Sequence, residues 1–153
     1  MKYLKVLNIN KYYFPHTGGI EKVTQEIAEG LSSKIDIEVL ACRKKGKSQI
    51  QNINNVKVYR AGSLGEFFSM PISITFFFWL RKLSKDKDIL HFHMPFPLGD
   101  LALLLSGFKG KVIAWWHSDV VKQERLMKLY MPIMESFLKR ADLIIVATKG
   151  HIE

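Results

Sequence analysis

The chain has 153 residues, 23 Lys and Arg against 14 Asp and Glu, and a formal net charge of +9. That length is one domain with enough interior to fold without covalent staples, and 48% hydrophobic with 24% charged residues excludes global disorder. One cysteine, Cys42, excludes an internal disulfide and a Cys-based zinc cluster, while the positive balance points to an anionic partner.

Tyr3–Ile9 reads as a first strand rather than a secretory leader, its apolar Leu4, Val6, Leu7 and Ile9 suiting a buried parallel position. A loop, Lys11 to Gly19, precedes a helix marked by Ile20, Val23, Ile27 and Leu31, with Glu21, Lys22 and Glu29 for its wet face. Ile35–Ala41 and Val56–Ala61 are predicted strands on either side of a polar connection, Lys45–Asn55. Pro71–Lys85 is predicted as a helix with Pro71 in its first turn. The apolar run Phe67–Leu80, with that proline inside it, is shorter than the ~20 residues of a bilayer crossing.

Asp88–Phe92 is a short predicted strand, and Pro95-Phe96-Pro97 breaks the chain before a helix at Leu98–Ser106 that ends near Gly107. Lys111–Trp116 is a strand, Lys122–Arg140 a long helix and Leu143–Ala147 the last strand. This alternation predicts an α/β fold: a Rossmann-like parallel sheet with helices on both faces. Lys149 to Glu153 reads as a helix just begun, so residues 1–153 are expected to be one domain of something longer.

In such a sheet, ligands bind at the carboxyl ends of the strands, and the chemically unusual residues gather there. Gly18-Gly19 opens the first helix, where a bare backbone and the helix dipole favour an anion; a plain tight turn is the alternative. The dinucleotide fingerprint G-x-G-x-x-G is absent, and Gly107 to Gly110 is too short for a P-loop. His91 and His93 share one face of a strand by the two-residue period. Packing under a helix is the plain reading of His91; a metal pair completed by His117 and Asp119 is the other. His117 directly follows the apolar Val112–Trp116 and precedes Ser118-Asp119, so it sits on a strand-end loop, where site residues concentrate. Asp119 either caps the next helix or orients His117, and Trp115 and Trp116 are expected in the core.

Four segments, Phe14-Pro15-His16-Thr17-Gly18-Gly19-Ile20-Glu21, Asp88-Ile89-Leu90-His91-Phe92-His93, Trp116-His117-Ser118-Asp119 and Arg140-Ala141-Asp142-Leu143-Ile144-Ile145-Val146-Ala147-Thr148, together resemble the amino-terminal half of family 4 glycosyltransferases. The resemblance implies the GT-B fold and retaining transfer of a hexosyl group from a nucleotide-diphosphate sugar. The acceptor it implies is a glycan or a polyprenyl- or lipid-linked saccharide in surface polysaccharide or lipopolysaccharide synthesis. By the same resemblance His117 is the catalytic candidate. Gly18, Gly19 and Thr148 are donor and phosphate contacts, and His93, His16, Ser118 and Asp119 form the acceptor side. Glu21 matches an acidic residue common after the glycine pair. No metal and no cofactor are implied, and the nucleotide-gripping carboxyl-terminal domain is expected to lie outside residues 1–153, leaving this part alone inactive.

Between Arg43 and Arg60 the chain carries Arg43, Lys44, Lys45, Lys47, Lys57 and Arg60 without an acid. No zinc-finger, RNP or zipper pattern accompanies them, so nucleic acid is not expected as a partner. With an implied lipid-linked acceptor, Arg43–Lys47 and the Phe67–Trp79 region are expected to meet an anionic membrane surface on its cytoplasmic side. Two other classes stand beside the transferase: a non-catalytic basic module that binds polyanions, and a metal hydrolase using His91, His93 and His117.

Overall fold

The computed structural model describes residues 2–117 and 124–146. The elements are β1 (Lys5–Ile9), α1 (Gly19–Leu31), β2 (Asp36–Cys42), β3 (Gln49–Ile53), β4 (Val56–Ala61), β5 (Glu66–Phe67), β6 (Met70–Pro71), α2 (Thr75–Ser84), β7 (Ile89–Met94), α3 (Pro97–Ser106), β8 (Lys111–Trp116), α4 (Glu124–Arg140) and β9 (Leu143–Val146). A seven-stranded sheet runs in the order β3-β4-β2-β1-β7-β8-β9. Every pairing in it is parallel except β3 with β4. Strand order reverses beside β1, so the loops after β1 and β7 open a crevice at the carboxyl edge.

The two faces of the sheet differ in chemistry. Leu7, Ile9, Leu40, Leu90, Phe92, Val112 and Ala114 join Phe76 and Leu80 of α2, Leu103 of α3 and Phe137 of α4 in the larger core. On the other face Val6, Val39, Ala41 and Val58 pack with Ala28 of α1. Asn8 and His91 are register partners in the β1–β7 pair, as are His93 and Trp115 in the β7–β8 pair. Three polar positions inside apolar strands, Asn8, His91 and His93, therefore fall on the α1 face, where an unpaired polar group is costly.

Two predicted elements need correction. The Lys45–Asn55 connection contains β3, an edge strand whose polar residues hid it. It returns to β4 through Asn54 and Asn55, both at positive φ as a tight hairpin turn requires. Pro71 does not open α2 but pairs with Glu66 in the β5–β6 hairpin. The helix starts later because the Ser73 and Thr75 hydroxyls both donate to the Gly62 carbonyl, while the Phe76 amide donates to Ser73 Oγ. The other boundaries fall within two or so residues of expectation. α3 begins with Pro97 at its first position and stops at the left-handed Gly107, the favoured chemistry at each end.

Candidate active site at the carboxyl edge of the sheet

The site is built outward from Asn8. Its Nδ2 donates to the Thr24 carbonyl of α1 at 3.1 Å, which fixes the amide so that Oδ1 faces His93 Nε2 at 2.7 Å. Since Oδ1 can only accept, His93 carries its proton on Nε2 and presents a lone pair at Nδ1. That lone pair lies 2.8 Å from His117 Nε2, which must then be the donor. His117 is left with its lone pair on Nδ1, able to accept a hydrogen bond from a ligand hydroxyl or to take up a proton. Its backbone is held by the His117 amide donating to the Met94 carbonyl at 3.1 Å, one step past the β7–β8 ladder.

Burial decides the charge of this cluster. Asn8 and His93 are essentially inaccessible, whereas His117 is half-buried at the rim. Burial, followed by the neighbouring rings of His91 and His117, holds His93 well below the usual imidazole range. Burial lowers His117 as well, and burial followed by His117 lowers His91 to about 4. All three are neutral near pH 7. The rings form one stack: His91 lies 4.6 Å from His93, His93 lies 5.0 Å from His117, and Trp115 is 5.0 Å from His117 and nearly parallel to it. Trp115 is thus a platform for the histidines, not a plain core residue. His91 is packed, yet its Nε2 is buried without a partner among the described residues, as is Trp115 Nε1.

Gly18 and Gly19 stand at the start of α1, whose second turn carries the Thr24 carbonyl that anchors Asn8. The helix has no side-chain cap. A Cβ on Gly19 would meet no heavy atom within 4 Å, and one on Gly18 would meet only the carboxylate of Glu21. Nothing in the packing of the domain requires a glycine at residue 19. The open backbone and the helix N-terminus together leave room for an anionic group to come close.

Other expected site residues fall elsewhere. His16 does not join the His93–His117 pair; it lies against the Tyr12 ring at 5.1 Å and lines a cavity with Arg43, Lys44 and Arg60. Ser118, Asp119 and Thr148 lie outside the described residues. Among the described residues no group of three or more His, Cys, Asp or Glu is placed to hold a metal ion, and both nitrogens of His93 are already engaged. Cys42 is buried, which pushes its thiol up to about 12. Asn8 was not singled out from sequence. Its signal was a lone amide inside the apolar Val6-Leu7-Asn8-Ile9.

Residues 17–151 match the model of Glycosyltransferase Family 4. Two curated relatives are each 31% identical: O-antigen chain mannosyltransferase C of Escherichia coli over 151 residues, and D-rhamnosyltransferase WbpZ of Pseudomonas aeruginosa over 150. Each match takes in 97% of this chain, but only 41% and 39% of those proteins, so the chain spans about two fifths of their length. The fold is shared with sucrose-phosphate synthase from Thermosynechococcus elongatus, at a TM-score of 0.68 and 13% identity over 97% of this chain and 43% of that one.

Proposed function

The chain belongs to Glycosyltransferase Family 4, and on that premise we propose that it forms the acceptor-side half of a retaining transferase. The reaction would move a hexosyl group from a nucleotide-diphosphate sugar to a glycan or lipid-linked acceptor of surface polysaccharide synthesis. The relatives' names, a mannosyltransferase of O-antigen chains and a rhamnosyltransferase, support this class of product. The proposal assigns the nucleotide to a second domain and needs no cofactor, the nucleotide sugar being substrate.

One observation carries the reading: the hydrogen-bonded line from Thr24 of α1 through Asn8 and His93 fixes His117 at the same sheet edge as Gly18-Gly19. A neutral imidazole whose Nε2–H is already used cannot neutralise a diphosphate. It can accept a hydrogen bond from a sugar hydroxyl and hold the anomeric carbon in line with the acceptor. The negative charge of the departing diphosphate would instead meet the amides of Gly19 and the next residues, a fixed dipole that needs no reorganisation. Ser118, Asp119 and Thr148 remain candidates for the surrounding contacts.

The test is His117→Ala in the whole transferase. Turnover should fall by roughly 100-fold or more, with little change in unfolding temperature. Near-normal turnover would remove His117 from the reacting centre.

We further propose that the domain docks on the cytoplasmic face of a membrane. Lys45 and Lys47 border a cavity with Leu64, Ile72 and Ile74, and Leu64, Ile74 and Phe78 are among the most exposed apolar side chains. Cations beside unpartnered apolar groups suit an anionic lipid interface. No helix among the described residues is long and apolar enough to cross a membrane. Salt-sensitive sedimentation with phosphatidylglycerol vesicles is expected; its absence would end the docking proposal.

A further inference from the structure

Arg60, at the end of β4, is 5% exposed, yet no carboxylate among the described residues pairs with it. Its Nε donates to Gln51 Oε1 at 2.8 Å, and its terminal nitrogens donate to the Phe14 carbonyl and, at 3.4 Å, to the Tyr13 carbonyl. These neutral acceptors orient the guanidinium without cancelling its charge. Burial and the neighbouring Arg43 both act against that charge, while Tyr13, whose ring centre lies 6.0 Å from the guanidinium carbon, acts in its favour. A charge taken out of water without a counter-ion is costly and rarely kept without use.

Arg60 forms part of the wall of a cavity of about 300 Å³ whose other polar residues include His16, Arg43, Lys44, Lys45 and Gln51. The loop that carries the cations is held in place. The Arg43 amide donates to the Ala61 carbonyl, Gly46 and Ser63 exchange both backbone hydrogen bonds at 2.8 Å, and Arg43 donates to the Lys47 carbonyl at 2.9 Å. Gly46 makes that turn at φ +115, a conformation that favours glycine. Lys44 and Lys45 therefore stand exposed at a fixed corner above Arg60. Glu21 and Glu66 act on His16 of this cavity, but neither forms an ion pair with Arg60 or with the loop cations among the described residues.

We propose that this cavity is a phosphoryl-binding site, separate from the start of α1, that takes a phosphoester or diphosphate group with Arg60 as its buried counter-charge. A phosphoryl group supplies what the cavity lacks, a compact double negative charge with several acceptor oxygens for guanidinium and ammonium donors. The site does not depend on the transferase reading, and a failed His117 experiment leaves it standing.

Calorimetric titration with inorganic pyrophosphate tests it. One saturable site is expected, and Lys44→Ala with Lys45→Ala should weaken it by roughly ten-fold or more. These two side chains are exposed, so the double variant should fold. A charge-matched pair, Lys85→Ala with Lys109→Ala, borders a different basic cavity and should leave the affinity within about two-fold. No saturable binding, or equal weakening by both pairs, would overturn the site in favour of diffuse attraction. Phosphatidylglycerol vesicles identify the source. Displacement of bound vesicles by pyrophosphate marks a lipid phosphate, and pyrophosphate binding that vesicles leave untouched marks a soluble phosphoester; either supports the site.

Discussion

Asp100 of α3 accepts a hydrogen bond from the Tyr130 hydroxyl of α4, while its other oxygen, Oδ1, is buried without a partner among the described residues. Burial pushes this carboxyl up to about 8, the tyrosine hydrogen bond opposing the shift. The folded protein therefore keeps Asp100 protonated where the unfolded chain has released the proton. For an acid raised in this way, stability is lost as pH climbs from about 4 towards 8.

Asp100→Asn keeps the shape and the acceptor for Tyr130 but cannot ionise. It should match the wild type near pH 4 and unfold a few degrees higher at pH 8. A variant less stable than wild type at pH 8 would show that Asp100 is ionised in the fold. Thermal unfolding across that range reads the difference directly.

His91 titrates with the opposite sign. Its folded value of about 4 lies below the unfolded one, so its contribution is complete above pH ~6.5 and disappears as pH falls towards 4. The size is on the order of 3 kcal/mol for that shift. His91→Phe should flatten this acid loss, and the difference between variant and wild type isolates it from Asp100. An unchanged slope between pH 4 and 6.5 would mean that the ring is not desolvated.

Asn8→Ala leaves the His93 Nε2–H without its acceptor and should cost about 1–3 kcal/mol of stability. Turnover of the whole transferase should drop about 10–100-fold, less than for loss of His117, because Asn8 acts through its neighbours. Asn8→Asp separates orientation from simple folding. A carboxylate beside His93 favours the charged imidazole and should move the acid limb of the pH–activity profile upward. A limb that stays in place would confine Asn8 to a structural role.

Gly19→Ala should fold as well as the wild type or up to about 1 kcal/mol better, since the added Cβ meets no heavy atom and the unfolded chain loses freedom. Transfer should nonetheless fall by roughly ten-fold or more if the diphosphate approaches that backbone. Unimpaired transfer would move the donor away from the start of α1.

Much of the framework was legible from residue pattern. Val56–Ala61 and Lys111–Trp116 were bounded as found, the first because Val56 and Val58 alternate with Lys57 after a polar stretch, the second because Val112–Trp116 is a continuous apolar run. β3 was not legible, since an edge strand reading Gln49-Ile50-Gln51-Asn52-Ile53 buries little and carries no strong period. The start of α2 depended on two hydroxyls meeting the carbonyl of Gly62, a contact across loops that no local pattern announces. At the site, the shared face of His91 and His93 followed from strand geometry, but their link to Asn8 needed the register of β1 on β7. The neighbours of His16, the Tyr12 ring and the cations Arg43, Lys44 and Arg60, were not legible, because sequence order says nothing about which side of the crevice a loop residue faces. Arg60 was visible only as one cation among several until its burial without a carboxylate set it apart.

The amide of Asn8 has one further consequence. Because it can offer His93 only an acceptor, the interior end of the imidazole line has no carrier to pass a proton on to. The line is a cul-de-sac that opens at residue 117 alone. A proton taken up there must leave by the same door, without being discharged into the body of the sheet.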